Sequence, residues 1–207
     1  MNSTLILATR NAKKGREMTA LISPPWEPSP RLSGMEVKTL LEYPDIPETV
    51  EDAATFAGNA RKKASEAAIA LKSWVVADDS GLAVDALNGA PGIFSARYAG
   101  RHGDDQGNNR KLLEDLAAIP DELRGAAFVC ALAVSDPKGN IVAEAEGKCR
   151  GRIIHEARGP AGFGYDPLFL ILEYHKTFGE LGSLVKHQLS HRARAFTRLR
   201  PMLERIL

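Results

Sequence analysis

The apolar run Trp74-Val75-Val76-Ala77 stops on two adjacent carboxylates, Asp78 and Asp79, followed by Ser80 and Gly81. A short apolar run rich in β-branched residues and bounded by turn formers reads as a strand buried in a sheet. Acids at the end of such a strand are costly unless something cationic meets them. The carboxyl end of a strand in an α/β sheet is also where ligands bind. Two readings follow. Either Asp78 and Asp79 serve a hard cation such as Mg²⁺, which favours one or two carboxylates plus substrate phosphates, or they cap a turn around Gly81. Glu51 is a third oxygen donor if the helix that follows it packs beside this strand.

The flanking pattern is α/β. Thr4 to Ala8 reads as a strand, a helix runs from about Gly15 to Ile22, and Met35 to Leu41 reads as a second strand. Pro44 and Pro47 mark a loop. Thr49 and Asp52 have capping-box spacing, with Asp in place of the usual Glu or Gln. Phe56, Ala60, Ala64, Ala67 and Leu71 then recur at steps of three and four, one apolar helical stripe whose small residues predict close packing on a sheet. Beyond the acids, Leu82 to Ala86 resumes a strand-like run before an Asn88-Gly89 turn. Asp104 to Leu116 reads as a helix, and Ala126 to Ser135 with Ile141 to Cys149 as a hairpin that Gly151 to His155 extends. The tail from Ser183 is helical in two pieces, the second kinked or ended at Pro201. No internal repeat or low-complexity linker divides residues 1–207, so a single domain is expected.

Composition excludes several classes. Lys and Arg number 27 against 26 Asp and Glu, giving a net charge of +1, which argues against a chain that coats nucleic acid. Hydrophobic residues make up 44%, an ordinary globular balance. Cys130 and Cys149 are too few for a disulfide framework and read as reduced packing residues. Met1 to Ala8 lacks the basic region of a secretory leader, and Ala126 to Val134 falls short of the ~20 residues that span a bilayer, so cytoplasm is the expected compartment. The histidines His102, His155, His175 and His187 have no metal-ligand spacing, and Ser80 lacks the nucleophile-elbow pattern.

Three further constellations carry chemistry. Thr9-Arg10-Asn11-Ala12-Lys13-Lys14-Gly15 joins the first strand to the first helix, where unpaired N–H groups and the helix dipole favour a phosphate. It lacks the Walker glycines, and its other reading is an N-cap with solvent-facing lysines. Gly162-Phe163-Gly164-Tyr165-Asp166-Pro167 places glycines on both sides of an aromatic, freeing the backbone to hold Phe163 against a flat base or under a turn. Lys186 and Ser190-His191-Arg192 begin the last helical region and read as phosphate or base contacts, or as a solvated helix start.

Taken together the segments resemble the inosine triphosphate pyrophosphatase family, which hydrolyses ITP, dITP and XTP. The resemblance rests on collinear blocks: Leu7-Ala8-Thr9-x-Asn11-x-x-Lys14, Thr55-Phe56-x-x-Asn59-Ala60-x-x-Lys63-Ala64, Ala77 to Leu87, Gly89 to Tyr98, Gly162 to Pro167, and Ser190-His191-Arg192. It implies an elongated α/β fold with a central twisted mixed sheet flanked by helices, two lobes around a cleft, and a homodimer. It also implies a Mg²⁺-dependent cut between the α- and β-phosphates. Carried over by position, Thr9, Asn11, Lys14 and Lys63 would hold phosphates, with the rest of the Thr9–Lys14 loop beside them. Glu51 and Asp79 would bind Mg²⁺ with Asp78 alongside, Asp79 would also be the general base, and Ser80 a substrate contact. Phe163, Gly164, Tyr165, Asp166, Lys186, His191 and Arg192 would form the base pocket. One carboxylate cannot be a tight ligand and a free base at the same instant.

Four positions depart from the family pattern. Arg10 stands where many members carry Gly, Gly58 where many carry Glu, and Ala193-Arg194 where Gly and Lys are frequent. Gly58 within the stripe would cost the helix ~1 kcal/mol relative to Ala. Two rival functions remain: a septum-inhibitor-type pyrophosphatase acting on modified pyrimidine nucleotides, disfavoured because its Ser-x-Ser-Pro-Arg-Arg start is replaced by Thr9-Arg10-Asn11, and a non-catalytic nucleotide sensor, which would not need Glu51, Asp78 and Asp79 together.

Overall fold

The computed structural model describes residues 4–207; Met1, Asn2 and Ser3, the start of the segment read for a leader, lie outside the described residues. In chain order the elements are β1 (Thr4–Leu7), α1 (Ala12–Ile22), β2 (Glu36–Thr39), α2 (Phe56–Leu71), β3 (Trp74–Val84), α3 (Asp105–Asp115), β4 (Gly125–Ser135), β5 (Ile141–Ile153), β6 (Phe169–Ile171), β7 (Lys176–Thr177), α4 (Ser183–Leu189) and α5 (His191–Ile206). The strands form one sheet in the order β2-β1-β3-β4-β5-β6-β7. β1 runs parallel to β2 and β3, while β6 is antiparallel to β5 and β7, so the sheet is mixed and the class is α/β as expected.

The chain groups into two compact units. The first holds the segments up to Asp79, Cys130–Gly147 and Arg192–Leu207; the second holds Ser80–Val129 and Lys148–His191. In the first unit the two-residue alternation of strands sorts side chains onto opposite faces. Leu5, Leu7, Val76, Cys130, Leu132 and Val134 pack with Met18 and Leu21 of α1 and with Phe196 and Leu199 of α5. Ile6, Ala8, Val75, Ala77, Ala131 and Ala133 pack instead with Ala60, Ala64, Ala67 and Ala68 of α2. Alanine meeting alanine brings α2 close to the sheet, as its stripe predicts. The second unit centres on Leu82, Leu112, Phe128, Ile153, Phe169 and Phe178, with Phe128 and Phe169 rings 4.5 Å apart.

Several expectations change. The strand expected to end at Ala77 continues through both acids to Val84, because Asp78 and Asp79 find cations on other elements and need no turn. Thr55, not Thr49, caps α2, its hydroxyl accepting from Gly58 N at 3.0 Å. Gly58 is therefore in the first turn, where an added Cβ would sit 2.8 Å from Ala53 Cβ, so crowding and not helix propensity sets the cost of replacing it. Pro201 lies inside α5, which runs on to Ile206 and buries Leu203. β6 and β7, only three and two residues long, were too short to show a period. Cys130 and Cys149 are both buried, in keeping with packing residues. Among the described residues no helix is long and apolar enough to cross a membrane.

Candidate active site

Neighbouring residues in a strand point to opposite faces, so β3 sends its two acids in different directions. Asp78 shares the face of Val76 and meets α1 and α5: Lys14 Nζ donates to Oδ1 at 2.9 Å, and Arg192 Nε and Cys130 Sγ donate to Oδ2 at 3.3 Å each. Arg192 also donates to Glu17 Oε2 at 2.9 Å. Burial opposes ionisation of Asp78, yet the charges of Lys14, Arg192 and Lys63 outweigh it and hold the carboxyl well below its usual range.

Asp79 shares the face of Ala77 and meets α2. Lys63 Nζ donates to Asp79 Oδ1 at 3.1 Å and to Glu51 Oε1 at 2.9 Å, and Asn59 Nδ2 donates to Asp79 Oδ2 at 3.1 Å. Asn59 and Lys63 are four apart on α2, so one helical face presents both donors. Burial, with the charge of Glu51, pushes the Asp79 carboxyl above its usual value despite Lys63 and Lys14. The same carboxylates raise the Lys63 ammonium against the effect of its burial. One acid is thus a locked anion and its chain neighbour a carboxylate whose proton is held more tightly than usual.

Among the described residues no three or more His, Cys, Asp or Glu gather as a metal cage. Glu51 and Asp79 nevertheless converge on one cation, the Lys63 ammonium. Two hard carboxylate donors are the set Mg²⁺ uses when phosphates and water supply the rest, so these residues fit it. Asp78 does not belong to that pair: its oxygens face Lys14, Arg192 and Cys130 on the other side of the strand.

The Thr9–Lys14 loop differs in detail from its expected role. Asn11 caps α1, its Oδ1 accepting from Lys13 N at 2.9 Å and Lys14 N at 3.1 Å, and Thr9 Oγ1 accepts from Asn11 N at 3.1 Å. Those three amides are engaged by the chain itself. Lys14 is half-buried, and Ala12 and Lys13 are exposed. Arg10 turns its guanidinium onto backbone carbonyls of Leu40, Tyr43 and Ile46 instead of outward toward a phosphate.

In the second unit the Gly162–Pro167 loop is built as its glycines require. Gly162 (φ +83°) and Gly164 (φ +62°) both adopt left-handed backbone, and a Cβ on Gly162 would lie 2.1 Å from Asp166 Oδ2. That oxygen accepts from Phe163 N at 2.8 Å and from Lys186 Nζ at 2.7 Å. The Lys186 ammonium stands 4.5 Å from the Phe163 ring centroid. Tyr165 directs its hydroxyl to Ser95 O at 2.9 Å, which makes it part of the support of the loop. His191 is buried and stacks on Phe128 with ring centroids 4.9 Å apart. Ser80, next to Asp79 in β3, is half-buried. Arg192, expected with the base pocket, is committed to Asp78 and Glu17 in the first unit.

Three residues escaped the sequence reading. Asn59, fully buried, accepts from Ala53 N at 2.9 Å while donating to Asp79, and so ties the segment after Glu51 to β3. Its place in the Thr55-Phe56-x-x-Asn59 block was the only available signal. Asp105 and Asn109 of α3 hold both backbone groups of Gly164, at 2.8 Å to its N and 2.9 Å to its O. Their four-residue spacing on a polar helix face resembles any solvated pair, so nothing in the sequence marked them.

The model of the Ham1 family matches residues 5–202. A dITP/XTP pyrophosphatase from Rhodopirellula baltica is 52% identical over 98% of this chain and 94% of its own length. Its counterpart from Geobacillus kaustophilus is 48% identical over 98% of this chain and 95% of its own. Among solved structures, a HAM1 protein from Coxiella burnetii superposes with a TM-score of 0.84 at 35% identity, covering 98% of this chain and 99% of that one. A nucleoside-triphosphatase described as a dITP/XTP pyrophosphatase from Mycobacterium abscessus gives 0.75 at 44% identity, covering 96% of this chain and 100% of that one.

Proposed function

The chain belongs to the Ham1 family, and from that membership we propose that it hydrolyses dITP, XTP and ITP to the nucleoside monophosphate and pyrophosphate. The observation that carries the chemical part of this reading is the convergence of Glu51 and Asp79 on one cation. In this reading Glu51 and Asp79 hold Mg²⁺, which when bound neutralises phosphate charge and acidifies coordinated water. Lys14 and Lys63 add positive charge for the phosphates and for the negative charge that grows as the bond to the α-phosphorus breaks. Since one carboxylate cannot be a tight ligand and a free base at once, Glu51 would be the tighter ligand, and Asp79, whose carboxyl burial pushes up, would take a proton from the attacking water.

Base recognition falls to the second unit. Phe163 offers a stacking face, worth about 1–3 kcal/mol per base. Lys186 and His191 supply the polar edge, with Asp166 fixing the lysine under the ring. Donors built to meet a 6-keto oxygen are left unpaired or clash against the amino group of adenine, which is how such a site rejects ATP. Cytoplasmic action on the nucleotide pool and assembly as a homodimer complete the proposal. Light scattering should return about twice the 22.4 kDa chain mass.

The test is pyrophosphate release from ITP, dITP, XTP, dTTP and ATP, each with Mg²⁺ or with EDTA. Release from the first three alone, abolished by EDTA and by Asp79→Asn in a folded protein, is expected. Equal turnover of dTTP would favour the septum-inhibitor-type reading, and tight ITP binding without cleavage would favour the sensor. Full activity of Asp79→Asn would remove the assigned base.

A further inference from the structure

Glu51 lies in a stretch without regular secondary structure between β2 and α2, yet its carboxylate must stand beside Asp79 for the pair to work. Downstream it is fixed by Asn59, which accepts from Ala53 N. Upstream a side-chain tie runs to Arg10. Its Nη1 donates to Leu40 O at 2.9 Å and Tyr43 O at 3.4 Å, and its Nη2 donates to Tyr43 O at 3.4 Å and to Ile46 O. A guanidinium presents five donors in a rigid planar fork, so two of its nitrogens reach three carbonyls at once, a spread that the single nitrogen of a lysine does not reproduce. Leu40 and Tyr43 pack against the alanine cluster of α2, while a cavity of about 200 Å³ lies beside the rest of the segment, lined by Ile46, Pro47, Val50, Ala67 and Ala70 among others. Val50, immediately before Glu51, is exposed.

We propose that Arg10 is a positioning residue for Glu51: it clasps residues 40–46 to the β1–α1 loop and so holds the segment that delivers the carboxylate to the Asp79–Lys63 cluster. The inference rests on the reading of Glu51 given under Proposed function. The departure at residue 10 then has a physical account, since a glycine there would have no side chain to reach the carbonyls. Arg10 acts on the carboxylate through the backbone of residues 40–51 and touches no substrate.

The first arm of the test needs neither metal nor nucleotide. Hydrogen exchange of the Tyr43, Ile46 and Asp52 amides, each bonded within the segment, should quicken by about tenfold or more in Arg10→Ala, the equivalent of one lost charge-assisted hydrogen bond. Exchange in α5 should stay as in the parent. Arg10→Lys, which keeps the charge but has one nitrogen in place of the two-pronged fork, should fall between and guards against a variant that does not fold. The second arm is a double-mutant cycle on kcat/KM with Glu51→Gln. Arg10→Ala should cost activity in the parent and change it by less than about twofold once Glu51 is already gone. Unchanged exchange, or penalties that simply add, would overturn the proposal. Full activity of Glu51→Gln alone would instead sink the role of Glu51 in the reaction, leaving the exchange arm to decide whether Arg10 holds the segment.

Discussion

Replacing Asp78 by Asn keeps the shape of the side chain and removes its charge, so the outcome reports the electrostatics of the cluster almost alone. The cluster balances two anions, Asp78 and Glu17, against two cations, Lys14 and Arg192. Asp78 and Arg192 have side chains only 1% and 4% exposed, so solvent gives little help when one is neutralised. A carboxamide in place of the carboxylate leaves a surplus positive charge in the interior and presents an amide N–H₂ to groups that are themselves donors. Breaking a buried pair in this way costs about 3–5 kcal/mol, a large share of the ~5–15 kcal/mol that holds a typical domain folded. With a urea slope near 3 kcal/mol per molar, the unfolding midpoint should fall by roughly 1–1.7 M. Because the carboxyl of Asp78 is depressed on folding, its contribution is complete above the ordinary value of 3.8 and is lost as pH falls through the depressed one. The gap between parent and variant should therefore hold from pH 7 down to about pH 4 and close only on further acidification. A midpoint shift below about 0.3 M, the size expected of an exposed pair, would refute the reasoning.

Two other outcomes follow from the site. Asn59→Ala strips a partner from the half-buried Ala53 amide and from Asp79 at once, so it should destabilise by about 1–3 kcal/mol in urea unfolding and also lower kcat; lost stability with an untouched kcat would separate Asn59 from the site. Gly162→Ala forces a Cβ into left-handed backbone and against Asp166, so it should raise KM for ITP and erode the ITP-over-ATP preference while leaving far-ultraviolet circular dichroism intact; parental KM and selectivity would show that the loop geometry does not set base recognition.

Much of the fold is written in short-range pattern. The alanine stripe of α2, the Asp136–Asn140 turn between β4 and β5, and the glycines around Phe163 all work through neighbours within a few residues. The acids Glu51 and Asp79 were likewise legible, because carboxylates after a strand or ahead of a helix stand out against the local apolar pattern. The continuation of β3 through its acids shows the limit of short-range pattern: nothing adjacent neutralises Asp78, whose cations Lys14 and Arg192 come from 64 and 114 residues away.

The sequence by itself determined which segments become strands and helices, which residue types could meet a metal or a phosphate, and, through its collinear blocks, the family. The tertiary structure alone decided how those residues divide the work. Strand alternation turns two consecutive aspartates to opposite faces, and only packing reveals that one face holds α1 and α5 and the other α2. From that follow a carboxyl held low by cations at Asp78 and one pushed up by burial at Asp79. Arg10 gives the same lesson: its charge advertised a phosphate, while its reach to carbonyls 30 to 36 residues on made it a clasp. A pKa or a hydrogen-bond partner depends on what lies within a few ångströms, and chain position fixes that distance only for near neighbours.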